Sequence, residues 1–209
     1  MSIGVFGGTF DPVHIGHLRT ALELKARLNL AEMRMIPSAQ PPHRDTPSTS
    51  AAHRLAMLER AVAGEPGMKA DDCELKRTGP SYTIDTLRAV RAEMGAHVPV
   101  YLCIGMDALL TINSWQHWRL LLDFAHIVAV ARPGWLPPEE GDVAVFIRQH
   151  REQLECLPNS ACGHIAIAEM TLLPVSATGI RESLKRGESV RYLVPDSVIE
   201  YIREQGLYR

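Results

Sequence analysis

Residues 3–18 read IGVFGGTFDPVHIGHL, and the fold turns on how that stretch is parsed. Ile3 to Phe6 is a short apolar run of strand character, while Leu18, Leu22, Leu24 and Leu28 recur at helical spacing over 16–28. Between them stand Gly7 and Gly8, which can bend sharply and let backbone N–H groups approach a bulky anion. The helix start beyond adds unpaired N–H groups and the positive end of its dipole. Strand, glycine turn and helix start together predict a phosphate cradle. Neither the GxGxxG spacing of a dinucleotide fingerprint nor the GK[ST] of a P-loop is present.

His14 and His17 lie three positions apart, so within a first helical turn they face one side. Beside phosphate, imidazoles donate hydrogen bonds to non-bridging oxygens, and their ordinary pKa makes partial protonation easy. Half of a zinc site is the competing reading. Apart from Asp11, no third ligand sits nearby in sequence, and the glycines would then lack a purpose.

Working outward, the same alternation continues. Strands are expected at 33–36, 68–75, in VYLCIG (100–105), AHIVAVAR (125–132) and HIAIAEM (164–170). Helices are expected at 51–63, 82–94, 143–157 and 176–186, with a last one starting at Pro195 and stopping before Gly206. Strands apolar on both faces and separated by helices imply an α/β fold: a mostly parallel sheet covered on both sides, with a small C-terminal helical portion, as one domain over 1–209. RPGWLPPEEGD (132–142) reads as a linker.

With 22 Lys and Arg against 24 Asp and Glu, the net charge is -2, so a broad polybasic surface for nucleic acid is excluded. No basic segment followed by an apolar run opens the chain, and no apolar stretch approaches a membrane span. The four cysteines fall in no CxxC spacing. A cytoplasmic protein without a membrane partner is expected. Oligomeric state is left open, a homo-oligomer included.

Ligands of such sheets bind beyond the carboxyl ends of the strands, which selects the remaining candidates. Asp107 follows VYLCIG and Arg132 follows AHIVAVA. VSATGIR (175–181) sets Ser176 and Thr178 ahead of a helix, as N-caps do. Arg181 in the first turn opposes the helix dipole, a conflict that a bound anion resolves. PSYTIDTL (80–87) opens a helix near Thr83, either as an anion-attracting terminus or simply as a capped helix with Tyr82 packed beside it. Trp115 and Trp118 in NSWQHWRLLL have the spacing of core residues. His43 and Arg44 stand on the proline-stiffened loop IPSAQPPHR.

GGTFDPVHIGHL resembles the GTFDPxHxGH signature of the HxGH nucleotidyltransferase superfamily. The fuller pattern, with IPSAQPPHR, ELKRTGPSYTIDTL, IGMDALLTINSW, ARPG and VSATGIRESLKRGESVRYLVP in order, is similar to the bacterial nicotinate-nucleotide adenylyltransferases over nearly the whole chain. That resemblance implies a Rossmann-like sheet and the joining of ATP to nicotinate mononucleotide, with release of pyrophosphate. It implies phosphate handling by Gly7, Gly8, Thr9, Phe10, His14 and His17. Ser176, Thr178 and Arg181 would meet the β- and γ-phosphates, with Arg44 and Arg132 also reaching toward ATP and His43 more weakly so. Ala177 departs from the family's ISSTxIR pattern, and Gly179 would compensate by letting backbone approach. The backbone of Tyr82 and Thr83 would meet the pyridine carboxylate, with Thr86 lining the same pocket. Asp107 would take a ribose hydroxyl and Trp115 the pyridine ring, leaving Trp118 to packing.

The implied nucleophile, a phosphate monoester, is largely dianionic at neutral pH, so no general base is required. Mg²⁺ is expected with ATP, held by substrate oxygens and water. Other transferases on the same frame, such as phosphopantetheine adenylyltransferase and the cytidylyltransferases, do not call for the SYT helix start with GMD and Trp115. An enzyme preferring nicotinamide mononucleotide would share most of these residues, and a nucleotide sensor without turnover is the alternative from another class.

Overall fold

The computed structural model describes residues 2–39, 47–131, 137–170 and 173–209, without the side chains of 158 and 159. Six strands form one sheet: β1 (Ile3–Gly8), β2 (Glu32–Pro37), β3 (Met68–Ala70), β4 (Val100–Gly105), β5 (His126–Ala131) and β6 (Ile165–Glu169). Their order is β3-β2-β1-β4-β5-β6, and every neighbouring pair is parallel. The α-helices are α1 (Ile15–Arg27), α2 (Ala51–Val62), α3 (Thr83–Met94), α4 (Met106–Leu110), α5 (Asp142–His150), α6 (Ala177–Lys185) and α7 (Asp196–Gln205).

Period-two alternation divides the strand side chains between two cores. Tyr101 and Cys103 of β4 join α1, α2, α6 and α7 on one face. Leu102 and Ile104 join α3, α4 and α5 on the other. The central strands are buried on both faces, which is why they read as unbroken apolar runs. The expected α/β class and parallel sheet are therefore found. Among the described residues, no helix is long and apolar enough to cross a membrane.

Several local expectations are revised. Gly7 and Gly8 do not make the sharp turn. Both stay in β1, paired with Ile36 and Pro37 of β2, and the chain reverses two residues later at Phe10, whose φ of 51° is left-handed. Only residues 68–70 of the extended 68–75 form a strand, because Asp72 to Arg77 turn back on themselves through hydrogen bonds from Leu75 and Lys76 to the Asp72 carbonyl. The helix expected at 143–157 stops at His150. Arg151 then bridges to Ile165, and a 3₁₀ segment follows over Leu154–Asn159. NSWQHWRLLL divides into 3₁₀ segments at Ile112–Ser114 and Trp118–Asp123, broken at His117 with φ 50°. Pro195 caps α7 rather than starting it. Residues 132–136 of the expected linker lie outside the described residues.

Candidate functional site

The sheet order reverses between β1 and β4, and a crevice opens beyond their carboxyl ends, Gly8 and Gly105. A cavity of about 300 Å³ fills it. Gly7, Gly8, Thr9 and Ser38 form one wall, and Tyr82, Thr83, Thr86, Asp107 and Trp115 the other. A Cβ on Gly7 would meet nothing within 4 Å, so this residue presents bare backbone to open space. A Cβ on Gly8 would stand 2.9 Å from the Phe10 ring. The second glycine thus serves the packing of Phe10, and the first faces the site.

At the far wall, no side chain caps α3, so the amides of its first turn point into the cavity side with the helix dipole behind them. Thr86 is buried. Its hydroxyl donates to Glu74 Oε1 at 2.9 Å and accepts from Arg77 at 2.8 Å, so it links Arg77 to Glu74, which lines the cavity with it. Burial pushes the Glu74 carboxyl up, with Thr86 and Arg77 partly offsetting it. Asp107 is exposed at the start of α4, its carboxylate folded back over Gly105, where a Cβ would overlap it. Trp115 is half-buried and lines the cavity. Trp118 packs edge-on to Phe146 at 4.7 Å, with the Arg119 guanidinium 4.2 Å from its ring. The two tryptophans are thereby given different surroundings.

The histidines stand at the start of α1, beside this cavity's glycine wall. His14 is the N-cap and His17 lies within the first turn, their rings stacked with centroids 3.6 Å apart. The His14 backbone N–H donates to His17 Nδ1 at 3.3 Å. That bond makes Nδ1 an acceptor, so the neutral ring carries its proton on Nε2 and offers it as a donor. Phe10, fully buried, meets the His17 ring edge-on at 5.1 Å. Its side chain supports an imidazole.

Partial protonation, expected from the sequence, is not what this packing gives. Burial brings the pKa of His14 down to about 4. Burial, and secondarily the neighbouring His14, bring that of His17 down to about 3. Both rings are neutral at pH 7 and act as dipolar N–H donors. In the unfolded chain both recover an ordinary pKa of 6.5, so the unfolded state binds more protons below that pH. Stability is then fully present above pH 6.5 and is lost as pH falls toward about 4 for His14 and about 3 for His17. Each imidazole adds up to about 1.4 kcal/mol per pH unit to that slope. Urea midpoints measured across the acid range should fall less steeply for His17→Gln than for the parent. Equal slopes would mean that His17 is not held neutral by the fold.

Helix α6 comes from the far end of the chain to the same place. Ser176 caps it, accepting from the Gly179 N–H at 3.1 Å, and a Cβ on Gly179 would crowd that hydroxyl at 3.2 Å. Gly179 therefore makes room for the cap. Arg181 escapes the unfavourable end of its helix dipole by donating to the Asp11 carbonyl at 2.8 Å, with Thr178 Oγ1 3.3 Å from its other terminal nitrogen. Thr178 is exposed and Arg181 half-buried, both beside the start of α1.

Asp11 links these parts. It is 4% exposed and accepts from Ser48 N at 2.6 Å, Thr49 Oγ1 at 2.8 Å and Tyr208 Oη at 2.7 Å. Burial alone would raise its pKa, but these donors, with Arg181 beyond them, hold it below the usual carboxylate range. Arg54, 1% exposed, donates to the carbonyls of Thr9 at 2.8 Å and Ala39 at 3.3 Å, tying the end of β1 to the loop after β2. Sequence reading passed over Arg54 and Tyr208. Arg54 had a signal: with Met57, Leu58 and Ala61 it falls on the buried stripe of α2. His43, Arg44 and Arg132 lie outside the described residues. Among the described residues, no three His, Cys, Asp or Glu side chains are grouped to hold a metal ion.

The site is thus a pocket between α3 and Trp115, walled on one side by Gly7–Thr9, with the starts of α1 and α6 brought together next to the end of β1 as a surface shelf. Residues 5–183 match the cytidylyltransferase-like family. A protein of Pseudomonas fluorescens named nicotinate-nucleotide adenylyltransferase is 50% identical over 209 residues, covering 99% of this chain and 97% of its own. One of the same name from Aeromonas salmonicida is 49% identical over 208 residues, with coverage of 99% and 97%. Among solved structures, a Plasmodium falciparum nicotinic acid mononucleotide adenylyltransferase complexed with NaAD superposes with a TM-score of 0.72. It covers 99% of this chain and 97% of its own at 16% identity, a likeness of fold.

Proposed function

The chain belongs to the cytidylyltransferase-like family and, with full-length relatives at 49–50% identity, to its nicotinate-nucleotide adenylyltransferases; on that premise we propose that it joins nicotinate mononucleotide to ATP by direct in-line displacement. The phosphate monoester oxygen of the mononucleotide forms a bond to the α-phosphorus of ATP, the bond to the β-phosphate oxygen breaks, and pyrophosphate leaves with the electron pair. The attacking phosphate is already largely dianionic, so no side chain has to remove a proton. Catalysis is alignment and charge compensation.

The shelf takes the triphosphate. Backbone at Gly7 to Thr9 lets it approach, and the N–H donors of His14 and His17 meet the α-phosphate. Thr178 and Arg181 at the start of α6, near Ser176, meet the β- and γ-phosphates, with Arg44 and Arg132 contributing. The pocket takes the mononucleotide: its carboxylate at the uncapped start of α3 by Tyr82 and Thr83, its ring on Trp115, and a ribose hydroxyl on Asp107. Thr86 acts by holding Glu74 and Arg77 in place. Magnesium, when bound with ATP, screens the triphosphate charge. The donor set suits an ion carried by substrate oxygens and water, since the Asp11 carboxylate is already saturated by protein donors.

One observation carries this reading: an anion-accepting helix start with no side-chain cap faces a ring-sized pocket, one bare glycine away from paired imidazoles. A carboxylate gains from a helix dipole where an amide does not, by roughly 0.5–2 kcal/mol. Pyrophosphate release should therefore show a kcat/KM for nicotinate mononucleotide above that for nicotinamide mononucleotide by a few- to about thirtyfold. Equal or reversed preference would defeat the assignment of the α3 start.

A further inference from the structure

Four residues follow α7, the first of them its cap Gly206 with φ 62°, and the Leu207 N–H returns to the Ile202 carbonyl. Tyr208 then takes a φ of 60°, a conformation a non-glycine residue adopts only against a steric penalty. The result is that its ring is buried and its hydroxyl reaches 197 positions back along the chain to Asp11. The proposed reaction assigns no part to either residue.

Asp11 sits between the turn residue Phe10 and the imidazole of His14, and its two ends face different segments. Its carbonyl takes the Arg181 guanidinium. Its carboxylate takes Tyr208 and Thr49 on one oxygen and the Ser48 amide on the other. Ser48 and Thr49 stand just before α2. One aspartate therefore bolts together the turn that carries His14 and His17, the entry to α2 and the C-terminus, while its peptide carbonyl aims Arg181. A hydrogen bond to a buried charge is among the stronger kinds, and a carboxylate that loses a donor in that setting has to find another or move.

We propose that Tyr208 is a positioning residue for the triphosphate shelf: through the Asp11 carboxylate it fixes the turn at 10–14 and, with it, the relative placement of His14, His17 and Arg181. This rests on the nucleotide reading of the shelf. Among the described residues, no hydrogen bond joins this network to the pocket under α3 and Trp115, so loss of the latch should be felt by one substrate and not by the other.

The test is Tyr208→Phe in the full chain, which keeps the buried ring and removes only the hydroxyl. ATP affinity measured by titration calorimetry with magnesium should fall roughly tenfold, and kcat by ten- to a hundredfold, the scale of a small misplacement of aligned groups. KM for nicotinate mononucleotide should stay within about twofold. A purely structural role would instead lower the melting temperature and the active fraction while leaving ATP affinity of the folded protein unchanged, and that result overturns the proposal. Thr49→Val, which removes the other donor to the same oxygen, should weaken ATP alone in the same way. If Tyr208→Phe fails to fold, ATP affinity unchanged in Thr49→Val overturns it equally. A parent chain that binds ATP but releases no pyrophosphate would sink the adenylyl-transfer reading, and the calorimetric comparison would still decide the latch. A parent that binds no ATP would sink both.

Discussion

His17→Ala leaves α1 intact and lowers turnover by roughly a hundred- to a thousandfold, the loss typical of a fixed donor aimed at developing charge. The fold tolerates the change because alanine is a good helix former and His17 stands in the first turn of α1, partly open to solvent. Turnover does not tolerate it, because the ring is oriented from three sides. The His14 amide sets its tautomer at 3.3 Å, the His14 ring stacks on it at 3.6 Å, and Phe10 meets its edge at 5.1 Å. A donor preorganised in this way costs no reorientation when charge appears on the phosphate, and water replacing it has no such constraint. Steady-state kcat beside a circular dichroism spectrum measures both halves of the statement. A variant with parent-like turnover would take the imidazole out of the mechanism.

The second large effect is on stability. Arg54→Met keeps a long apolar stem on α2 but removes the donors to the carbonyls of Thr9 and Ala39. It also removes a positive charge that interacts with the Asp11 carboxylate. At about 1–3 kcal/mol for each buried acceptor left without a partner, a loss of about 3 kcal/mol is expected. Urea unfolding should show it as a lower midpoint at constant slope, and ATP should restore part of it by binding only the folded chain. A midpoint within experimental error of the parent would mean that water replaces Arg54 at no cost, and that the end of β1 is held by its strand pairing alone.

Much of the architecture is legible in the chain because it rests on local periodicity. Apolar runs mark β1, β4 and β5 as buried on both faces, short apolar stretches mark β2 around Arg34 and the edge strand β6, and the leucine spacing after Gly16 marks α1. The short edge strand β3 and the end of α5 are read too long, since a local pattern does not reveal where Asp72 accepts backbone bonds or where Arg151 leaves its helix for a bridge to Ile165. The candidate site divides in the same way. The residues near Gly7, Tyr82, Asp107 and Ser176 follow strands or open helices, so the rule that ligands lie beyond strand ends finds them. Arg54 was within reach of the same reasoning as a charge on an apolar stripe.

What the amino-acid order alone determined is the parallel α/β sheet and the strand–glycine–helix parse of residues 3–18, each from residue type and spacing within a dozen positions; that the segment works together with the helix start near Arg181 was an expectation carried by resemblance. Only the tertiary structure decided that Phe10 makes the reversal, that both imidazoles are neutral, and that Asp11 collects Thr49, Arg181 and Tyr208. The reason is physical: burial and hydrogen bonds between residues 170 and 197 positions apart exist only once the sheet has brought the two ends of the chain together.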